Sequence, residues 1–385
     1  MALDQATLQQ LLDTVHKFVH QRLVPLEEEV ASTDKMPVDV IQEMRELGLF
    51  GLTIPQEFGG LGLNTEEECR VVLEFGQTAP AFRSMFGTNN GIGSQGLVQD
   101  GTAEQKAKYL PRMATGEIIG SFCLTEPDAG SDAGAVATTA VVDGDQFVIT
   151  GTKRYITNAP QAGLFTVFAR TDPDKPGSRG VSAFLVDADT PGISLGKPNK
   201  KMGQQGAQVC DVIFDDCRVS REQLLGGASL LNKGFVTAMK TLDRGRLHIS
   251  ALAVGCAERL IDEALRYAME RKQFDQPIAD FQLVQAMLAD SRAEAYAARC
   301  MVLDAAQRRD KGEVVTELAS CSKLFASEMV GRVADRAVQI HGGAGYMEEY
   351  PVARFFRDVR LFRIYEGTSQ IQQTLIARSM IKSAT

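Results

Sequence analysis

The sequence has no Cys-x-x-Cys pair, only four histidines, and no apolar run near the roughly 18 residues that a membrane span requires. Each absence removes a class of function. Seven cysteines, at 69, 123, 210, 217, 256, 300 and 321, are scattered and odd in number. They suit neither a disulfide framework nor an iron–sulfur relay, and read as small apolar side chains in a reducing compartment. His16 and His20 lie four apart on a helical face, but no glutamate follows the first and no third ligand is near. No metal site is expected. Lys and Arg number 41 against 49 Asp and Glu, a formal net charge of -8. That balance speaks against nucleic acid and against anionic membrane surfaces as partners. No basic-then-apolar leader and no Arg- and Ser-rich transit segment opens the chain, so a cytoplasmic location is the expectation.

What is present points to a large globular enzyme. A chain of 385 residues, 44% hydrophobic, can bury a sizeable core in two to three structural units. Leu8, Leu11, Leu12, Val15, Phe18 and Val19 predict an amphipathic helix from the N-terminus to about Pro25. Pro37 begins a second helix that stops at Gly48, and Thr65-Glu66-Glu67-Glu68 and Thr102-Ala103-Glu104-Gln105 read as capping boxes opening two more. From Ile118 the texture becomes β-like, with short runs at 118–124, 136–142, 147–150, 164–170, 181–186 and 209–214. Turn signals such as Asp143-Gly144 and Pro191-Gly192 separate them, which suits a small antiparallel sandwich or barrel. From Gly234 long helices return, at about 234–271, 281–310 and 313–340 with a last one from Thr368, as in an antiparallel bundle. The predicted organisation is mainly α with a central β domain: helical 1–117, β 118–231, helical 232–385.

Five stretches carry possible chemistry. Near the C-terminus, Tyr365-Glu366-Gly367-Thr368-Ser369-Gln370 sets one carboxylate beside a glycine just before a helix start, and the missing side chain at Gly367 would let a flat ligand approach the backbone. It reads either as a tuned general base or as an acidic residue favoured by the helix dipole. Phe122-Cys123-Leu124-Thr125-Glu126-Pro127-Asp128-Ala129-Gly130-Ser131-Asp132 runs a strand into a loop whose hydroxyls and N–H groups suit a polar cofactor edge or a plain turn. Lys153-Arg154-Tyr155-Ile156-Thr157-Asn158 offers an aromatic and a hydroxyl at alternate positions, hence on one face of a strand. The others are Arg271-Lys272-Gln273-Phe274 with Gln282, and Gln339-Ile340-His341-Gly342-Gly343, where a helix ends in glycines. A sixth candidate, Gly91-Ile92-Gly93-Ser94-Gln95-Gly96, matches the dinucleotide fingerprint. Helices are expected on both sides of it and no strand precedes it, so no nicotinamide site is expected.

Together, in this order and spacing, the five stretches resemble the acyl-CoA dehydrogenase family of flavoproteins, over nearly the whole chain. The resemblance implies that family's fold, with an N-terminal helical domain, a middle β-barrel or sandwich and a C-terminal four-helix bundle. It implies FAD, an acyl-CoA substrate, a role in fatty acid metabolism, electron-transferring flavoprotein as acceptor, and a homotetramer sharing FAD between subunits. Carried over residue by residue, Phe122, Cys123, Leu124, Thr125, Gly130, Ser131, Tyr155, Ile156 and Thr157 would line the flavin, with Thr368 and Gln370 completing its contacts. Arg271, Phe274, Gln282, Gln339, Ile340, His341, Gly342 and Gly343 would hold its pyrophosphate and adenine across a subunit interface. Ser131, Arg246, Tyr365 and Gly367 would border the acyl-CoA. Glu366 would be the base that takes the α-proton while the β-carbon gives a hydride to flavin. Some relatives carry that base two residues after an Asp that here is Asp243, and this position is Gly245.

Arg83 hints at the acyl group. It falls where relatives acting on dicarboxylyl-CoA esters, such as glutaryl-CoA dehydrogenases, place an arginine for the distal carboxylate. The residue also fits a surface arginine or an internal ion pair. The same position implies a rival reaction, sulfite release by 3-sulfinopropanoyl-CoA desulfinases, against which the presence of Glu366 favours oxidation.

Overall fold

The computed structural model describes residues 3–384. Helices α1 (Gln5–Phe18), α2 (Glu27–Thr33), α3 (Val38–Glu46), α4 (Thr65–Phe75), α5 (Pro80–Thr88), α6 (Gln95–Asp100) and α7 (Ala103–Ala114) form the N-terminal part. Asp4 caps α1, accepting from the Ala6 and Thr7 N–H groups at 3.0 Å. The helix closes at Phe18 and continues to Pro25 only as a wide π turn and a 3-10 turn. The box at α4 sits one residue earlier than expected: Asn64 Oδ1 accepts from Glu67 N–H, and Glu67 returns the bond to Asn64 N–H, both at 2.9 Å. Asn caps at least as well as Thr, and Thr65 N–H bonds Asp310 instead. The Thr102–Gln105 box on α7 forms as expected. Gly91–Gly96 runs through a wide turn between α5 and α6 with no strand before it.

Among the described residues, seven strands form the middle sheet: β1 (Gly120–Cys123), β2 (Thr139–Asp143), β3 (Gln146–Thr157), β4 (Leu164–Arg170), β5 (Val181–Asp187), β6 (Ile193–Leu195) and β7 (Val209–Ser220). The order is β1-β4-β2-β3-β7-β6, with β5 on the other side of β4, and the sheet curls over a core that includes Phe147, Ile149, Phe165, Phe184 and Phe214. It is not wholly antiparallel, since β1 and β2 pair with β4 in parallel. Three-residue β6 escaped the sequence reading because it is too short to show alternation.

The C-terminal part packs α8 (Gly234–Glu270), α9 (Gln282–Asp310), α10 (Thr316–His341) and α12 (Ser369–Ala384) as a bundle. Two-residue strands β8 (Lys272–Gln273) and β9 (Gln276–Pro277) follow α8, and a short α11 (Pro351–Val359), not foreseen, precedes the last helix. α4 lies directly on α8: a Cβ on Gly76 would come within 2.5 Å of the Gly255 Cα. α8 forms one wall of the site through Phe235, Met239, Leu242 and Arg246, and His248 on it meets Glu68 of α4 and Arg83 of α5.

Candidate active site

The described residues enclose a cavity of about 550 Å³ between α5, α8, the β sheet and the turn before α12. That volume is in the range of small-molecule sites. Arg83 enters from α5; Met239, Leu242 and Arg246 from α8; Phe122, Leu124, Thr125 and Gly130 to Ala133 from β1 and its loop; and Tyr365, Glu366 and Gly367 from the last turn.

Glu366 is the one cavity carboxylate held in a left-handed backbone, with φ +53°. Its Oε2 is buried and has no hydrogen-bond partner among the described residues. Burial raises its pKa, while Arg83, Lys323 and Arg246 oppose the rise. Its backbone N–H also donates to nothing among the described residues, leaving a free donor beside an unpartnered carboxylate oxygen. Gly367 follows at φ +93°, and a Cβ there would meet Gln372 Nε2 at 2.5 Å. The glycine is therefore required by the turn and by Gln372, rather than by ligand clearance alone. Thr368 caps α12 by accepting from Ile371 N–H at 3.2 Å.

Gly245 answers the question of a second base position. A Cβ built on it would lie 2.0 Å from Glu366 Oε2 and 3.0 Å from its Cδ. The carboxylate occupies the space that a side chain at 245 would need. In Gly245→Ala the flexible carboxylate must retreat by roughly 1 Å, a misplacement worth about 100-fold in rate. Turnover is expected to fall on that scale with the melting temperature almost unchanged; an unchanged rate would show that the carboxylate does not work from this pose.

Arg83 is neither a surface residue nor ion-paired to a carboxylate among the described residues: it is buried, and Nε donates to Nε2 of His248. His248 Nδ1 in turn bonds Glu68 Oε1 at 2.7 Å, and Arg244 Nε donates to Glu68 Oε2 at 2.6 Å. Such a chain requires a neutral imidazole with its proton on Nδ1. Burial, then Arg83, holds His248 down to about 4, against 6.5 for a free histidine. Burial would raise Glu68, but Arg244 and His248 bring it to about 2. A base with a depressed folded pKa keeps its full stability above 6.5 and loses it as pH falls towards 4. Over that window the loss from His248 reaches about 3 kcal/mol. Melting temperature should fall between pH 6.5 and 4, and the slope should be shallower in His248→Gln; equal slopes would refute the assignment.

Of the residues expected to line a flavin, eight meet at the cavity and three, Cys123, Thr368 and Gln370, do not. Phe122, Leu124, Thr125, Gly130, Ser131, Tyr155, Ile156 and Thr157 line the cavity. Cys123 turns into the β core, since alternate residues of β1 face opposite sides. Tyr155 reaches the cavity by a bulge rather than by alternation: it has φ +58°, and the register shifts between Lys153 and Ile156. The hydroxyls of Thr125, Ser131 and Thr157 have no partner among the described residues. A flat apolar wall edged with free hydroxyls and Arg154 N–H tied to Thr125 O at 2.8 Å fits the ring and chain of a flavin.

A second group does not reach the cavity. Arg271, Phe274, Gln282, Gln339, Gly342 and Gly343 are exposed at one end of the bundle, with Phe274 at 88% exposure and φ +52°. Ile340 is buried there, and His341 stacks on Tyr267 at 4.3 Å. Gln370 is exposed and does not line the cavity, and neither does Thr368. Sequence reasoning missed Gln204, Phe235 and Ile371, which line it, and the buried supports His248, Glu68, Lys323 and Gln372.

Sequence models of the acyl-CoA dehydrogenase N-terminal, middle and C-terminal domains match residues 5–117, 121–217 and 232–381. The chain belongs to the acyl-CoA dehydrogenase family. It is an oxidoreductase acting on CH–CH bonds of CoA thioesters, in a family that depends on FAD. It is 43% identical over 374 residues to the probable acyl-CoA dehydrogenase YngJ of Bacillus subtilis, covering 97% of this chain and 98% of that one. The CarC subunit of the caffeyl-CoA reductase-Etf complex of Acetobacterium woodii is 42% identical over 355 residues, 92% of this chain and 93% of the relative. A glutaryl-coenzyme A dehydrogenase in complex with glutaryl-CoA superposes with a TM-score of 0.92 at 33% identity, covering 99% and 96% of the two chains. No described helix is long and apolar enough to cross a membrane.

Proposed function

We propose that this enzyme interconverts an acyl-CoA and its trans-2-enoyl-CoA, with Glu366 moving the α-proton. The observation that carries the reading is the buried, unpartnered Oε2 of Glu366, facing the cavity over Gly245. A carboxylate raised by burial and unspent on protein partners suits general base work near neutral pH. The free Glu366 N–H would donate to the thioester oxygen and hold the charge that develops as the α-proton leaves. Bound FAD supplies acceptance of the β-hydride, and Phe122, Leu124, Thr125, Gly130, Ser131, Tyr155, Ile156 and Thr157 would hold it against the acyl chain. Arg246, buried with an unpartnered Nε, keeps positive charge beside the base. Closure by the apolar acyl chain excludes water and strengthens each of these interactions.

Arg83 favours an acyl chain with a distal anion. Its terminal nitrogens donate to no acceptor among the described residues and stand at the cavity wall. A buried guanidinium bound only to a neutral imidazole calls for a carboxylate from the ligand. Glutaryl-CoA bound to the glutaryl-coenzyme A dehydrogenase named above is a ligand of that chemistry.

The exposed cluster of Arg271, Phe274, Gln282, Gln339, Gly342 and Gly343 supports FAD shared between subunits of a homotetramer, since it lies away from the cavity of its own chain. The Etf-complex relative supports electron-transferring flavoprotein as the redox partner. Seven free cysteines, five of them buried, suit a cytoplasmic setting. Anaerobic titration of the purified holoenzyme with straight, branched, ω-carboxyl and sulfinyl CoA esters tests the reading, with flavin absorbance and free sulfite followed together. Bleaching without sulfite, strongest for the ω-carboxyl ester, is expected. Sulfite release with no bleaching would mark a desulfinase and overturn it.

A further inference from the structure

Lys323 carries no motif, yet its side chain is fully buried on α10, behind the turn that bears Glu366. It forms no ion pair among the described residues. Its one hydrogen bond runs from Nζ to the Gly367 carbonyl at 2.7 Å. Gln372 Nε2, from α12, donates to the same carbonyl at 3.1 Å and to the Glu366 carbonyl at 3.2 Å. The two residues clamp a turn that needs clamping, since a glutamate at φ +53° sits in the left-handed backbone region that a side chain disfavours.

The charge is as informative as the bond. A lone buried ammonium is costly, and a neutral donor could hold a carbonyl equally well. Burial brings the Lys323 pKa down to about 8, with Glu366 attracting its charge, Arg246 repelling it and Glu328 attracting it more weakly. Around Glu366 itself stand Arg83 from α5, Arg246 from α8 and Lys323 from α10, with Glu68 from α4 opposing them. Lys323 is the one of these cations bonded to the turn that carries Glu366, at the carbonyl of the next residue.

We propose that Lys323 is a positioning residue for the base, fixing the Glu366–Gly367 turn from the side away from substrate and placing a cation behind the carboxylate. The inference rests on the assignment of Glu366 as base. It separates two contributions, a hydrogen bond that sets geometry and a charge that sets the protonation range of Glu366.

Two variants divide them: Lys323→Gln keeps a donor without the charge, and Lys323→Met keeps neither. The first readout is deuterium uptake at the α-carbon of acetyl-CoA, which has no β-hydrogen to give to flavin. The second is the pH profile of anaerobic flavin reduction. FAD content and melting temperature serve as controls. Removing a cation raises the carboxyl pKa, so the acid limb of Lys323→Gln should move to higher pH by about one unit, with its plateau within a few-fold of the parent. Lys323→Met should show the same shift and a plateau lower by at least about 10-fold. If Lys323→Met does not fold, the limb of Lys323→Gln decides alone. An unmoved limb in Lys323→Gln, with exchange intact in the parent, would overturn the role of Lys323 and leave Glu366 standing. Absence of exchange in the parent would overturn both.

Discussion

Glu366→Gln is expected to lower the rate of flavin reduction by an acyl-CoA by about 100- to 10,000-fold, the range for removal of a well-placed general base. The substitution keeps size and shape, and no protein group among the described residues bonds the Glu366 carboxylate, so no partner is orphaned. FAD content should therefore remain that of the parent, and a CoA ester should still bind. Loss of both binding and rate would mean a structural role, and an unchanged rate would mean a scaffold without chemistry at this residue. The parent's pH profile should carry an acid limb above 4.5, since burial raises the carboxyl and Arg83, Lys323 and Arg246 only partly offset it. Below that limb the carboxylate is protonated and cannot take the α-proton. The limb should vanish in Glu366→Gln.

The stretch that holds Glu366 was legible because its chemistry is local: a carboxylate, a glycine and a cap in consecutive positions. The order of helical, β and helical segments was legible because burial periodicity is local as well. What supports the Glu366 turn is not local. Lys323 sits among Ser322, Leu324 and Phe325 in a helix whose other buried positions, His341 apart, are apolar or small, and nothing in its spacing says that it meets Gly367, 44 residues on. His248 and Glu68 meet from helices 180 residues apart. Such pairings depend on how α4, α8 and α10 cross, which periodicity does not encode. Two local expectations also yielded to tertiary context. The Tyr155 side chain is aimed by a bulge, and Gly367 is needed for Gln372 as well as for any ligand. Gly245 shows the opposite case, where a missing side chain in the sequence matched a filled space in the structure.

Arg83→Ala is expected to lower kcat/KM for an ω-carboxyl CoA ester by about 30- to 1,000-fold, the cost of leaving one charge of a buried pair alone. For a neutral ester of equal length the change should stay within a few-fold. The site is prepared for this discrimination before any ligand arrives. Gly87 leaves the room that Arg83 occupies, since a Cβ there would lie 2.5 Å from Arg83 Nε. His248 takes one donor of the guanidinium, fixing its plane, and Glu68 with Arg244 fixes His248. The remaining donors form a planar fork of the kind that meets a carboxylate in two parallel bonds. Arg83 also lowers the pKa of Glu366, so its loss should move the acid limb to higher pH for every substrate. The comparison must therefore be made on the plateau, where Glu366 is ionised in both proteins. Equal losses there for charged and neutral esters would mean that Arg83 serves the base and not the acyl terminus. A loss confined to the charged ester would assign the distal end of the cavity to an anion.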